Sequence, residues 1–184
     1  MRVDRRLFPL ALTVVLGGCA IYSPLPSGPV SDGGEKFRAE INAADWYRDP
    51  LSDAFIISRD GFTIDYILVK RDKLGRDLTT NKQRFTADME PWALAELQLD
   101  ILQSDMRVTD FRLLANRPVT ISGQPGYCLE YGYTNHQGIG ISGVRCGYAR
   151  EKWMYHIVYE GLTEHYFDHN RAVFDHFLDT FKGL

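Results

Sequence analysis

The chain has 184 residues but only three cysteines, and it has no apolar run long enough to cross a bilayer. A membrane-spanning helix needs about 20 apolar residues. The longest apolar stretch, residues 7–16, is half of that and contains Pro9, so it reads as the hydrophobic part of a signal and not as a span. Basic residues are not in excess: 21 Lys and Arg face 24 Asp and Glu, for a net charge of −3. A mildly acidic chain lacks the electrostatic footprint of a binder of nucleic acid or of an anionic membrane surface. The hydrolase signatures G-x-S-x-G and H-E-x-x-H are missing. No pair of acidic residues is marked by its spacing as a general acid and base. Internal repeats and coiled-coil heptads are also lacking. These absences argue against an enzyme, and they point to no cofactor and no metal.

Turning to what is present, Arg2, Arg5 and Arg6 precede the apolar run, which ends in Leu16-Gly17-Gly18-Cys19. That order resembles a bacterial lipoprotein signal peptide. The resemblance implies removal of residues 1–18, acylation at Cys19, and attachment to a membrane facing the periplasm. Each buried methylene of such a lipid contributes about 0.8 kcal/mol, and several chains make the anchor durable. Ala20 stands where an Asp would favour retention at the inner membrane, so the resemblance implies the outer membrane. Residues 19–44 are read as the lipidated cysteine and a flexible tether, because Ser23-Pro24, Pro26-Ser27-Gly28-Pro29 and Gly33-Gly34 break structure in quick succession. Residues 45–184 are read as one domain with its own core.

Within that domain Phe55-Ile56-Ile57 leads into Arg59-Asp60-Gly61, a hairpin signal, and Phe62, Ile64, Tyr66 and Leu68 alternate beyond it. Residues 71–84 are charged and irregular and read as a loop or a weak extended segment. Pro91, favoured at a first helical position, opens a helix expected to reach residue 106. Its stripes are Trp92, Ala95, Leu99, Leu102 and Met106, and Leu94, Leu97 and Ile101. Further strands are expected over 109–115, 119–133, 140–150 and 153–160, with Asn116-Arg117-Pro118 as a bend. The run 153–160 is apolar on both faces and so reads as a central strand. A helix over 170–182, with Asp168 as its cap, closes the chain. The order predicts an α+β fold, an antiparallel β-sheet flanked by helices.

Cys128 and Cys146 flank a loop at Asn135-His136-Gln137-Gly138. If Thr134 faces Gly140 across that hairpin, the same pairing sets Cys128 opposite Cys146, where Cα atoms lie about 4.5–5.5 Å apart, within disulfide range. The alternatives are a disulfide in an oxidising compartment or two buried free thiols.

Residues 55–61, the helix start at 91–98, Val119-Thr120-Ile121-Ser122-Gly123-Gln124-Pro125-Gly126, residues 155–159, and Tyr166-Phe167 with Phe174 and Phe181 together resemble the PsbP/DcrB/Mog1-like superfamily, in particular its small bacterial lipoproteins. The resemblance spans roughly 46–184. It implies an α/β/α sandwich and a binding or assembly role without catalysis, and it supplies no catalytic residues.

Three local patterns remain. Gly138-Ile139-Gly140-Ile141-Ser142-Gly143 spells G-x-G-x-x-G, but a dinucleotide site needs a helix after that turn, and here a strand follows. His165, His169 and His176 could share a metal only on one helical face, which a helix starting after Asp168 breaks. His156, on the central strand, reads as a hydrogen-bonded core residue and His136 as a loop tip. Tyr127, Tyr131, Tyr133, Tyr148, Tyr155 and Tyr159 crowd the last three strands. If several share an open face, they form a groove for a partner or an apolar ligand. The expectation is a non-catalytic envelope lipoprotein, anchored in the membrane through Cys19, whose tethered domain binds an envelope protein. The alternative is a small-ligand carrier or sensor using the aromatic groove.

Overall fold

A computed structural model describes residues 22–33, 36–77 and 83–184; the signal and Cys19 lie outside the described residues. Among the described residues eleven strands and two helices follow one another: β1 Ser23–Leu25, β2 Gly28–Ser31, β3 Phe37–Ile41, β4 Trp46–Arg48, β5 Phe55–Ser58, β6 Asp65–Lys73, α1 Pro91–Gln103, β7 Val108–Ile121, β8 Gln124–Asn135, β9 Gly140–Arg150, β10 Trp153–Leu162, α2 Tyr166–Thr180 and β11 Lys182–Gly183. Eight strands make one sheet in the order β1-β4-β5-β6-β10-β9-β8-β7, and β11-β3-β2 make a second. All paired neighbours are antiparallel. The expected α+β class holds.

The large sheet separates two apolar layers. On one side α2 and the small sheet pack Phe37, Ile41, Phe174, Phe177 and Phe181 against Ile57, Ile67, Ile157 and Tyr159. On the other, α1 packs Leu94, Ala95, Leu97 and Leu102 against Tyr127, Leu129, Tyr131 and Met154. β10 lies between β6 and β9, and nearly all of it is buried on both faces, as its doubly apolar run predicts.

The β8–β9 hairpin has the expected loop. The Asn135 carboxamide oxygen accepts from Gln137 N at 2.9 Å and from Ile139 N at 3.0 Å, and Gly138 takes a positive φ of 78°. Thr134 faces Gly140, Cys128 faces Cys146, and the two cysteines form a disulfide.

Four boundaries differ from expectation. The segment read as a tether over 19–44 contains β1, β2 and β3, with Val30, Phe37, Ala39 and Ile41 buried. Phe37-Arg38-Ala39-Glu40-Ile41 alternates apolar and polar side chains, a period-two signal overshadowed by the nearby prolines and glycines. The stretch 119–133 is two strands, because Ser122 and Gly123 adopt φ of 53° and 74° and reverse the chain between β7 and β8. Two positive φ values in succession make the hairpin turn that twisted strands prefer. The helix α1 stops at Gln103, leaving Met106 exposed beyond it, and Trp92 also faces solvent. The helix α2 begins at Tyr166, with His165 at the cap position and Asp168 in the first turn. There the carboxylate opposes the positive end of the helix dipole. Among the described residues no helix is long and apolar enough to cross a membrane.

Candidate functional site

Alternation along β6, β10, β9 and β8 lays out a grid of side chains beneath α1. One row runs Tyr66, Glu160, Gly143, Tyr131, with each residue directly opposite the next. The next row is Leu68, Val158, Arg145, Leu129, and the third is Lys70, His156, Gly147, Tyr127. The strands are thus apolar towards α2 but carry polar groups towards α1.

Glu160 is 6% exposed. Its Oε1 accepts from Tyr131 Oη at 2.6 Å, and its Oε2 accepts from Tyr133 Oη at 3.1 Å and from Tyr66 Oη. Gly143 makes this arrangement fit. The Tyr131 ring passes over it to reach Glu160, and a Cβ there would stand 2.6 Å from Tyr131 Cζ. Burial, with the Glu160 carboxylate beside it, pushes the Tyr66 and Tyr131 hydroxyls well above the usual tyrosine range. Tyr133 moves the same way for the same reasons. Burial opposes the charge on Arg145, but Tyr131, Glu160 and Tyr66 more than offset it, so the guanidinium stays protonated. A carboxylate that already accepts three hydroxyls has most of its lone-pair sites filled. It works as a structural knot tying β6, β8 and β10 together.

Beside this knot a cavity of about 190 Å³ lies between the sheet and α1, bordered by Arg145, His156, Lys70, Asp72, Gln98 and Phe85 among others. Burial pulls the His156 imidazole below its usual range, and Asp72 acts the other way. His156 Nε2 lies 3.4 Å from Asp72 Oδ2 but lacks hydrogen-bond alignment with it. The expectation of a hydrogen-bonded core histidine is therefore met in burial only.

A larger open groove of about 600 Å³ lies at the other end of the grid, where β7, β8 and β9 meet the β10–α2 connection. β7 is an edge strand whose register against β8 shifts between Thr109 and Arg112 and again between Leu113 and Ala115. These bulges bend the edge and leave Leu114 62% exposed beside Ile139, also exposed, with Asp110, Arg112 and Glu164 at the rim.

The six tyrosines expected on one face are divided. Tyr127, Tyr131 and Tyr133 lie on the α1 side; Tyr148, Tyr155 and Tyr159 lie on the α2 side. All but Tyr133 are buried. Tyr148 and Tyr155 stack at 4.9 Å, and Tyr159 stacks on Phe167 and Phe174. The register explains the split: Tyr127 faces Gly147, so Tyr148 points to the opposite face. No shared aromatic groove results. Cys128 and Cys146 belong to the α2-side core. The His165 and His169 rings are 5.3 Å apart at the start of α2, with His169 Nε2 3.2 Å from Arg59 Nη1, while His176 faces Glu40 from further along the helix. The G-x-G-x-x-G residues run from the β8–β9 turn into β9, with no helix following. The polar grid itself was not recognised from sequence. Its signal was the presence of Arg145, His156 and Glu160 inside strands otherwise built for burial.

No family model matches the chain, and no curated protein sequence matches it. Solved structures do. The solution structure of cyanobacterial PsbP from Synechocystis sp. PCC 6803 is similar over 94% of this chain and 98% of its own, at 12% identity and a TM-score of 0.54. LpqN of Mycobacterium tuberculosis, which is involved in cell envelope biogenesis, is similar over 88% of this chain and 90% of its own, at 11% identity and a TM-score of 0.56. PA94 of Pseudomonas aeruginosa is similar over 75% and 85%, at 13% identity and a TM-score of 0.50. At these identities the likeness concerns architecture, and it agrees with the eight-stranded antiparallel sheet between two helices: the chain has the PsbP/DcrB-like fold.

Proposed function

We propose that this chain is a non-catalytic lipoprotein of the bacterial envelope, lipid-anchored at Cys19 in the outer membrane and facing the periplasm, whose domain binds a protein partner in an assembly or accessory role. The observation that carries the reading is the groove at the bulged β7 edge. It pairs exposed Leu114 and Ile139 with a rim of Asp110, Arg112 and Glu164, an apolar centre inside a polar border, as protein interfaces have. Its position suits an anchored domain. An extended chain spans at most about 3.6 Å per residue, so Tyr22 stays within roughly 11 Å of Cys19. β1, at one edge of the large sheet, is therefore held near the membrane. β7 is the opposite edge, seven strand spacings away, or about 34 Å at roughly 4.8 Å each. On this reading the groove can lie up to about that distance from the anchored edge without a long tether. The likeness to LpqN, an envelope-biogenesis protein, supports the same reading.

Crosslinking and pull-down from intact envelopes test it, comparing the native protein with Cys19→Ala and Leu114→Glu. One stoichiometric envelope protein, lost with either substitution, is the expected result. Equal recovery with Leu114→Glu would remove the groove from the interface, and recovery of no specific protein from the native form would count against partner binding altogether.

A further inference from the structure

We propose that the cavity beneath α1 binds a small monocarboxylate, its carboxylate held by Arg145 and Gln98 and its short apolar body resting on Leu68, Ile101 and Val158. Gln98 is 2% exposed and His156 5%. Gln98 Nε2, Arg145 Nε and both His156 ring nitrogens are buried without a hydrogen-bond partner among the described residues, and all three residues line this cavity. A buried polar group left unpaired costs about 1–3 kcal/mol, and nearly all buried polar groups in folded proteins are paired. Three such side chains around one cavity therefore mark a place where a polar group from outside the chain completes the bonding.

The charges around the cavity narrow the class. Arg145 Nε and Gln98 Nε2 are donors, so the missing group is an acceptor. Lys70 is already 3.0 Å from Asp72. Glu160, in the row beside Arg145, has its oxygens taken by Tyr66, Tyr131 and Tyr133. Arg145 Nε thus remains as an unpaired donor at the cavity, which one carboxylate oxygen completes, while a doubly charged anion would be opposed more strongly by Asp72 and Glu160. The remaining wall, with Leu68, Phe85, Ile101 and Val158, is apolar and suits a hydrocarbon body. At about 190 Å³ the cavity has the volume of roughly six waters, which fits a four-carbon acid. This inference does not rest on the protein-partner reading, since the groove at β7 and this cavity share no lining residue.

The test is calorimetric titration of the full chain in detergent with sodium butyrate, against sodium phosphate and sodium chloride. Saturable one-to-one binding of butyrate, stronger than that of either inorganic anion, is expected. Gln98→Leu, which removes one donor from an otherwise apolar contact, should weaken it about tenfold, the effect of one hydrogen bond of roughly 1.4 kcal/mol. Ile101→Trp, which fills the cavity from the helix, should abolish it, with near-ultraviolet circular dichroism confirming a native fold in each variant. If Gln98→Leu does not fold, Ile101→Trp decides. No saturable heat with butyrate, equal binding of phosphate or chloride, or unchanged binding in the folded variants would overturn the proposal and assign the cavity to water alone.

Discussion

Replacing Gly143 by alanine tests the packing of the carboxylate knot. Gly143 sits between Tyr131 on β8 and Glu160 on β10. A Cβ there would lie 2.6 Å from Tyr131 Cζ, 2.7 Å from Cε2 and 2.8 Å from Oη, distances at which something must move. The ring has little room, being fully buried and stacked between Phe111 at 5.7 Å and Tyr133 at 6.2 Å. Forcing a methyl into such a site costs about 1–3 kcal/mol. Pushing Tyr131 Oη away from Glu160 removes a hydrogen bond to a charged group, a further 1.5–3 kcal/mol or so. The expected loss is about 2.5–6 kcal/mol, a large part of the roughly 5–15 kcal/mol that holds a domain folded. Urea denaturation followed by circular dichroism measures it, with an unchanged slope showing that the loss is one of stability. In a Tyr131→Ala background the obstruction is gone, so the same substitution should cost at least about 2 kcal/mol less, a coupling typical of residues in contact. Gly132→Ala is the control: its nearest neighbour, the Ile141 carbonyl oxygen, is 3.6 Å away, and the change should fall within about 0.5 kcal/mol. A loss below about 1 kcal/mol for Gly143→Ala, or an equal loss in both backgrounds, would refute the close-approach account.

Removing the Cys128–Cys146 disulfide, which closes an 18-residue separation, with a double Cys→Ala variant should lower stability by about 3 kcal/mol, and adding a reductant to the wild type should move its thermal midpoint in the same direction. Because burial holds His156 below its ordinary value of 6.5, the unfolded chain takes up this proton first on acidification. Its contribution to stability is present above pH 6.5 and declines as pH falls below it. Asp72, which desolvation raises but His156 and Lys70 hold at about 2 against a usual 3.8, adds a second decline between those values. Urea midpoints at pH 7.5 and 5.5 should therefore diverge for the wild type and converge for His156→Gln. Trp92, exposed on α1, should tolerate serine within about 0.5 kcal/mol by the same denaturation assay.

The sequence pattern revealed elements wherever one physical rule acted alone. The register of β8 on β9 followed from a turn residue that could be placed and from strict two-residue alternation, and with it came the cysteine pairing. β10 was recognisable as central because few sequences are apolar on both faces. Rules in competition hid the rest. Around residues 23–41 turn formers lie within and between short strands, and the breakers outweighed the alternation of β3. Ser122-Gly123 is a two-residue turn inside a stretch whose β-branched start, Val119-Thr120-Ile121, and aromatic end, with Tyr127, Tyr131 and Tyr133, read together as one strand. The aromatic face failed for a different reason: which side a tyrosine takes depends on cross-strand register, and each strand pair contributes its own offset. The polar grid was the least visible, because Glu160, Arg145 and Gln98 come from β10, β9 and α1 and meet only in three dimensions.

The small sheet joins parts of the chain that are made far apart in time. Glu40 N donates to Thr180 Oγ1 at 3.0 Å across 140 residues of sequence, Phe37 stacks on Phe181 at 5.3 Å, and β11 pairs with β3. While the chain is being made from its amino end, β3 must therefore form and wait, with Phe37, Ala39 and Ile41 lacking the helix that later covers them. Contacts of such long separation form late, and transiently bared apolar strands invite aggregation. Refolding of this protein should accordingly be slow and prone to aggregation, and a chain truncated after β10 should be cut far faster by protease than the full chain.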